Sequence, residues 1–166
     1  MRTKLLSLFA ASLLLAACET TPTTTAGSGG GGAAAAPAAT AAPRTGPVPG
    51  SQQDLVVNVG DRVFYDLDKS DLKPEARRTL ERQAAWLKQY GSVMVSLEGH
   101  CDERGTREYN LALGDRRANA ARDYLVSLGI PASRIKTISY GKERPAVLGS
   151  NEAAWSQNRR AVTVVN

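Results

Sequence analysis

The sequence is poor in the residues that build metal sites and disulfide frameworks. Its 166 residues include one His and two Cys, which excludes a multi-histidine zinc site, a zinc finger and a disulfide-rich scaffold. It has no apolar run of the about 20 residues that a permanent membrane-spanning helix needs. From residue 51 onward, 18 basic residues stand against 15 acidic ones, a net charge of +3. That charge is too balanced to indicate a nucleic-acid-binding protein, and we expect neither a metal nor a cofactor.

The first residues have the pattern of an export signal. Arg2 and Lys4 precede an apolar run from Leu5 to Ala17, which is the length of a signal peptide. The small residues that end this run lead into Cys18, and the arrangement resembles the lipobox of bacterial lipoproteins. That resemblance implies a signal peptide over residues 1–17 and lipid on Cys18, where several acyl chains together give stable anchoring. The alternative is an ordinary secretory signal that happens to contain a Cys. With Cys18 lipidated, Cys101 has no partner for an internal disulfide.

A low-complexity segment follows the predicted signal. Residues 19–52 are rich in Thr, Ala, Gly and Pro and contain no aromatic residue. Such a composition cannot bury enough apolar surface to fold. We therefore predict a lipidated Cys and a disordered linker over residues 18–52, followed by one folded domain over residues 53–166.

The hydrophobic pattern of residues 53–166 alternates between strand and helix periods. Two β-rich runs, 55–59 and 62–65, are separated by a Gly-Asp turn, and a helix is predicted between Pro74 and Gly91. Later elements are predicted as a strand at 93–99, a helix at 107–128, a strand at 134–140, a short helix at 152–157 and a strand at 161–165. This order predicts a two-layer α/β (α+β) sandwich, with helices packed on one face of a sheet.

The segment from Glu98 to Ala120 is densely charged and covers a predicted strand–loop–helix junction. Asp102 follows the strand, and Arg117 lies in the helix one turn after Leu113, on its more buried side. Brought together, these side chains would suit a zwitterionic amino acid, whose carboxylate binds a guanidinium and whose ammonium faces a carboxylate. The alternative is a salt bridge between Asp102 and Arg117 that fixes the loop to the helix, and spacing by itself favours that alternative.

The motifs of this junction resemble those of the OmpA-like peptidoglycan-binding domain family. The family pattern Asp-x-x-Gly is present at Asp102 to Gly105, and Asn110, Leu113 and Arg117-Ala118 follow in order. Residues 63–70, 139–147 and 158–161 resemble further family motifs. With the lipobox and the linker, the likeness covers essentially the whole chain and is strongest to the lipid-anchored members. It implies the OmpA-like fold, with a mixed four-stranded sheet.

The resemblance also implies a function that needs no catalysis. Family members bind the diaminopimelate stem peptide of peptidoglycan non-covalently and tether the outer membrane to the cell wall, as part of the Tol–Pal system in cell division and envelope integrity. The implied partners are peptidoglycan, TolB and other Tol–Pal proteins, with TolB and peptidoglycan competing for overlapping surface. The implied location is the outer membrane, with the domain facing the periplasm.

The family pattern also assigns roles to individual residues. Asp102 would hold the ammonium of the diaminopimelate side chain, and Arg117 its carboxylate. The remaining site residues implied are Tyr65, Asp66, Leu67 and Asp68, which would line the pocket, and Asn110 and Leu113, which would support it. Tyr65 stands where Phe is common in the family and Cys101 where Thr is frequent, and neither difference affects the Asp102–Arg117 pair.

Two other functions stay open from the sequence. One is a wall hydrolase that uses His100 and Cys101, but consecutive residues on a strand point to opposite faces and are poorly placed as a base–nucleophile pair. The other is a structural adaptor whose pocket is empty and whose task is contact with TolB. The nearby arginines, Arg104 among them, are interpreted as a solvated surface, and Trp86 and Trp155 as packing residues.

Overall fold

The computed structural model describes residues 46–166. The predicted signal peptide, the predicted lipidation site at Cys18 and the linker up to residue 45 lie outside the described residues. Within residues 46–166, the helices are too short or too polar to cross a membrane.

Residues 46–166 form four α-helices and four β-strands in an order close to the predicted one. The elements are α1 (Gln52–Asp54), β1 (Arg62–Phe64), α2 (Pro74–Gln89), β2 (Val95–His100), α3 (Arg107–Ser127), β3 (Ile135–Gly141), α4 (Glu152–Asn158) and β4 (Arg160–Val165). A π-helical turn, Leu55–Val59, extends α1, and a 3₁₀ turn, Ala132–Arg134, precedes β3. The predicted helices and the four later strands are present, with bounds that differ by one or two residues.

The strands form one mixed sheet in the order β1-β4-β2-β3. Strand β4 is antiparallel to both β1 and β2, whereas β2 and β3 are parallel. Alternate residues of β2, namely Val95, Leu97 and Gly99, face helices α2 and α3, and the buried apolar side chains lie between these helices and the sheet. The predicted fold, an α/β two-layer domain with a mixed four-stranded sheet, is therefore confirmed.

The β-rich run at residues 55–59 is not a strand, and this prediction is wrong. Ser51 caps the preceding helix by accepting a hydrogen bond from the Asp54 backbone N at 3.2 Å. The Asp54 carboxylate then accepts from Gly50 N, from Asn58 Nδ2 and, across the core, from Trp86 Nε1 at 2.9 Å. These bonds satisfy a buried carboxylate only when the chain is wound into a turn, and they outweigh the β propensity of the valines.

Ser51 and Gln52 are joined to the domain by specific contacts. The Gln52 side chain donates from Nε2 to Thr163 O at 3.3 Å and accepts at Oε1 from Val165 N at 2.7 Å. These two bonds fasten α1 to β4. These contacts place Gln52, the last residue of the predicted linker, in the described fold. The predicted boundary between signal peptide and linker, which precedes it, stays a prediction.

Helix α3 approaches β2 with its backbone. A Cβ on Gly99 would lie 1.9 Å from the carbonyl oxygen of Gly114, and one on Gly114 would lie 2.3 Å from Ser139 Oγ. Only glycine permits this approach at both positions. Arg117 is one turn beyond Gly114, so the close contact carries its side chain to the end of β2, where the site lies.

Candidate ligand-binding site

A cavity of about 200 Å³ opens at the end of β2. It is bounded by the loop after β1, by the loop between β2 and α3, and by the first turns of α3. The residues that line it are Leu67, Asp68, Cys101, Asp102, Arg104, Gly105, Tyr109, Asn110, Leu113 and Arg117. Loops at strand ends, held by a rigid sheet and helix, are a common location for binding residues.

Asp102 provides a buried negative charge on one wall of the cavity. Its Oδ1 accepts hydrogen bonds from the backbone N and Nε of Arg104, each at 3.2 Å, and its Oδ2 accepts from Arg104 Nη2 at 2.5 Å. Arg159 Nη1 also donates to Oδ2, at 3.4 Å. Burial favours the neutral acid, but the bonds from Arg104 and Arg159 outweigh it, so the pKa of Asp102 lies below its usual range. Asp102 is therefore ionised at neutral pH.

Arg117 provides a positive charge that is fully buried. Its Nε donates to Lys69 O at 2.8 Å and its Nη2 to Asp66 O at 3.1 Å, both in the loop after β1. Its Nη1 donates to His100 O at 2.9 Å, at the end of β2. Burial lowers the pKa of Arg117, yet a guanidinium stays protonated at neutral pH. These bonds tie the loop after β1 to the end of β2 through a single side chain.

Asp102 and Arg117 line the same cavity without forming a salt bridge. Among residues 46–166, no carboxylate oxygen lies within 4.0 Å of an Arg117 nitrogen, and the ion pairs of Asp102 are with Arg104 and Arg159. The alternative interpretation, a loop-to-helix salt bridge between these two residues, is therefore wrong. A guanidinium has five N–H donors, and three of those of Arg117 bond backbone carbonyl oxygens.

The conformation of the loop after β2 is set by two residues. Asn110 Nδ2 donates to Arg104 O at 2.7 Å and to Thr106 O at 3.0 Å. Gly105 has a φ of +87°, in the left-handed region that favours glycine. The Gly of the Asp-x-x-Gly motif thus stands where the chain turns from the loop toward α3.

Six of the eight residues predicted for the site line the cavity, and two do not. The six are Asp102, Arg117, Leu67, Asp68, Asn110 and Leu113. Tyr65 is 2% exposed and lies beneath Arg117, to whose carbonyl oxygen its hydroxyl donates at 2.9 Å. Asp66 is exposed and forms a salt bridge with Lys73 at 2.8 Å. The lining of this cavity includes neither side chain, since Tyr65 points into the core and Asp66 contributes its carbonyl to Arg117; their role in ligand binding stays a prediction.

Arg104 and Tyr109 line the cavity but are not among the residues predicted from the sequence. The sequence places Arg104 on a solvated surface, but its guanidinium bonds Asp102 and lies over the Trp155 ring, 4.0 Å from the ring centroid. The Tyr109 hydroxyl donates to Asp68 Oδ1 across the mouth of the cavity. Asp68 has a φ of +58°, and its left-handed conformation directs the loop after β1 toward α3. An available signal was the position of Arg104 inside the Asp-x-x-Gly motif itself.

His100 and Cys101 are not arranged as a base and a nucleophile. The His100 ring lies against Tyr140 on the sheet face opposite α3, 5.5 Å between ring centroids. The Cys101 thiol instead faces α3 and donates to Asn110 O at 3.3 Å. Burial raises the pKa of Cys101 to about 11. This geometry agrees with the alternation expected of consecutive strand residues and offers no activated thiolate.

Comparison with known proteins identifies relatives over most of this domain. A model of the OmpA family matches residues 64–159. The peptidoglycan-associated lipoprotein of Agrobacterium fabrum is 62% identical over 117 residues, which are 70% of this chain and 66% of that protein. The chain thus spans just under two thirds of that relative. The peptidoglycan-associated lipoprotein of Brucella melitensis is 59% identical over 118 residues, 71% of this chain and 70% of that protein.

A solved structure supports the same relationship. The crystal structure of the peptidoglycan-associated lipoprotein from Burkholderia pseudomallei matches with a TM-score of 0.62 and 40% sequence identity, over 64% of this chain and 90% of that chain. Neither the family nor these relatives are described as enzymes, in agreement with the prediction from sequence.

Proposed function

This chain belongs to the OmpA family, and we propose that its domain binds peptidoglycan non-covalently through a stem peptide that contains meso-diaminopimelate. The names of the relatives, which are peptidoglycan-associated lipoproteins, support the ligand class. The cavity at the end of β2 supports the position of the binding site within the domain.

The observation that carries the proposal is a pair of unlike charges that share one cavity without bonding each other. Arg117 is buried and has no carboxylate partner among the described residues, since its hydrogen bonds go to backbone carbonyl oxygens. Asp102 is buried and ionised and lines the same cavity. Buried charges are stable only when they are compensated. A ligand carboxylate would supply the partner that Arg117 lacks, and a ligand ammonium would be a further counter-ion for Asp102, which Arg104 and Arg159 already bond.

The side-chain end of meso-diaminopimelate carries an ammonium and a carboxylate on one carbon. We assign the ammonium to Asp102 and the carboxylate to Arg117, whose planar fork suits bidentate binding. Leu67 and Leu113 would contact the aliphatic chain. Asn110 holds the loop, while Tyr65 and Asp66 act as positioning residues that support Arg117 from below.

A ligand comparison tests the assignment without changing the protein. The full-length chain, purified in detergent, is titrated calorimetrically with a stem peptide containing meso-diaminopimelate and with the same peptide containing L-lysine. Lysine keeps the ammonium and lacks the carboxylate, so its binding should be weaker by about 1.5–3 kcal/mol, the value of a hydrogen bond to a charged group. Substitution of Arg117 is less informative, because its three carbonyl bonds also hold the fold.

The matched variant is Asp102→Asn, which keeps the shape of the side chain and removes its charge. We expect it to lose affinity for both peptides, since both carry the ammonium. Equal affinity of wild type for the two peptides would contradict the role of Arg117. Absence of binding to either would contradict the proposed function, and TolB would then be the leading ligand.

The remainder of the proposal concerns the whole chain. We propose removal of residues 1–17, lipidation of Cys18 and a linker over residues 18–52 that lets an outer-membrane anchor reach the cell wall. Many anchored copies, each binding weakly, then hold the membrane to the wall, because anchoring keeps the effective concentration of binding sites at the wall high. In a cell fractionation, the Cys18→Ala variant should lose its outer-membrane location, whereas the Cys101→Ala variant should keep it.

We further propose TolB and other Tol–Pal proteins as partners, in cell division and envelope integrity, with TolB and peptidoglycan competing for the domain. This part rests on the family resemblance. A pull-down with TolB, repeated with increasing stem peptide, should show TolB released as the peptide saturates the site. Retention of TolB at saturation would contradict competition.

A further inference from the structure

The Asp102 carboxylate has no vacant acceptor position in this structure. A carboxylate offers about four lone-pair positions. Oδ1 receives the backbone N and Nε of Arg104, and Oδ2 receives Nη2 of Arg104 and Nη1 of Arg159. A ligand ammonium that binds Asp102 therefore has to replace one of these four donors.

Arg159 is poorly placed to give way. Its side chain is 8% exposed, and it also donates to Tyr65 O at 3.1 Å and to Glu152 Oε1 at 2.6 Å. Its bonds join the loop after β1, helix α4 and the loop after β2. Moving Arg159 would disturb three parts of the domain and leave a buried charge without its partners.

The Arg104 side chain can give way at smaller cost. It is 34% exposed, and it lies in a loop two residues after Asp102. Its guanidinium already rests on the Trp155 ring, 4.0 Å from the centroid, and a guanidinium over an indole is stabilised whether or not it bonds a carboxylate. Trp155 is itself held by a bond from its Nε1 to Glu103 Oε1 at 3.0 Å. A rotation of the Arg104 side chain thus frees Asp102 while the guanidinium keeps its aromatic contact.

We propose that the Arg104 guanidinium is the counter-ion of Asp102 before the ligand binds. The ammonium of the ligand displaces this guanidinium from Asp102, and the guanidinium stays on the Trp155 ring. The inference rests on the proposed function and adds a selectivity mechanism to it. Arg104 and Arg159 compensate the Asp102 carboxylate before a ligand binds, and a ligand without a cation cannot remove the counter-ion. The Arg104 backbone N–H continues to bond Asp102 in both states, so the loop keeps its shape.

Affinity of Arg104 variants tests the competition. The full-length chain in detergent is titrated with the meso-diaminopimelate stem peptide as wild type, Arg104→Ala and Arg104→Gln. Both variants should bind about two- to fivefold more tightly, the range expected when a partly exposed ion pair no longer competes. The control is Arg107→Ala: Arg107 is 64% exposed and pairs with Glu143 at 3.3 Å, away from Asp102, and its loss should leave the affinity unchanged. Unchanged or weaker binding by both Arg104 variants would overturn the inference.

Side-chain NMR of the arginine Nε–H groups gives a second readout that does not depend on a variant's stability. In the free protein the Nε–H of Arg104, assigned with Arg104→Lys, should be protected from exchange by its bond to Asp102. Saturation with the peptide should abolish this protection and leave the Nε–H of Arg159 protected. Persistent protection of Arg104 in the complex, or loss at Arg159 instead, would overturn the inference.

The two proposals fail in different ways. If wild type binds the diaminopimelate peptide and the Arg104 variants bind it more weakly, Arg104 is a direct ligand contact and only the counter-ion inference falls. If wild type does not bind the peptide at all, both the proposed function and the inference fall.

Discussion

The backbones of Gly99 in β2 and Gly114 in α3 are in direct contact, since a Cβ on Gly99 would lie 1.9 Å from the Gly114 carbonyl oxygen. Backbone is the obstructing group, so no side-chain rotation can make room. The same contact sets the height of α3 above the sheet. It therefore determines whether the Arg117 guanidinium, one turn along the helix, reaches His100 O.

The Gly99→Ala substitution should destabilise the domain and weaken the site together. We expect the free energy of unfolding to fall by about 1–3 kcal/mol, the usual cost of overpacking, measured by urea denaturation. Affinity for the stem peptide should fall as well, because α3 and Arg117 move outward. Gly91→Ala is the control: no atom lies within 4 Å of the added Cβ, and its stability should stay within about 0.5 kcal/mol of wild type. Equal unfolding midpoints for the two variants would contradict the prediction.

The Tyr65→Phe substitution separates support of Arg117 from ligand contact. It removes the buried bond to the Arg117 carbonyl oxygen and should cost about 1 kcal/mol of stability, with stem-peptide affinity changed less than about twofold. Tyr124→Phe removes a comparable bond to Glu81 at the surface and should lower the free energy of unfolding clearly less than Tyr65→Phe does. A large affinity loss without a stability loss would instead make the Tyr65 hydroxyl a ligand contact.

His100 should make the stability of the domain depend on pH. Burial, with the nearby charge of Arg160, lowers its pKa to about 4, whereas an unfolded His titrates near 6.5. Between these values the unfolded chain binds more protons, so stability is full above about pH 7 and falls as the pH is lowered toward 4. We expect a loss of about 1 kcal/mol between pH 7.5 and 5.5, measured by urea denaturation.

The control for this pH effect is clean because His100 is the one histidine of the chain. The variant His100→Leu should show little change between pH 7.5 and 5.5. The carboxyl groups of Asp54, Asp66 and Asp102 have lowered pKa values through their hydrogen bonds, so their contribution is lost only at more acidic pH. The same pH dependence in His100→Leu would contradict the prediction.

The Cys101 thiol should be unreactive in the folded domain. It is 2% exposed, bonds Asn110 O, and has a pKa raised to about 11 by burial. Maleimide at pH 7.5 should label residue 101 slowly in buffer and rapidly in denaturant, as read by peptide mass spectrometry. The control is Ser133→Cys in a Cys101→Ala background: Ser133 is exposed, so this variant should be labelled rapidly in both conditions. Rapid native labelling of Cys101 would show that the loop after β2 opens readily.

Local periodicity was sufficient to predict most of the fold. In α2 the apolar stripe Ala76, Leu80, Ala84 and Leu87 is buried as expected, because helical spacing brings every third or fourth residue to one face. The run at residues 55–59 failed because its conformation depends on the bond between Asp54 and Trp86, 32 positions apart. A window of neighbouring residues contains no signal for such a contact.

The positions of the two charged residues could be predicted from the sequence, whereas those of the residues that hold them could not. Asp102 and Arg117 could be placed because a strand end and a helix stripe fix their directions. Tyr65 was assigned to the pocket through the family resemblance, which shows the stretch of chain and not the direction of each side chain; here its side chain is buried beneath Arg117. Arg104 was grouped with the neighbouring arginines, because its position inside the Asp-x-x-Gly motif does not by itself show that its side chain folds back onto Asp102.

The strand β4 follows every other strand along the chain and yet lies inside the sheet, between β1 and β2. Arg62 of β1 pairs with Val162, 100 positions later, so β1 has no strand neighbour until β4 is in place. Such long-range closure slows folding, since the loop entropy is lost before the pairing is gained. As the chain emerges from its N-terminal end, β1 must therefore wait, with its hydrogen-bonding edge unpaired, until β4 has emerged. Closure of this sheet therefore comes with its last strand, and the loops after β1 and β2 that line the cavity acquire their geometry together at that step.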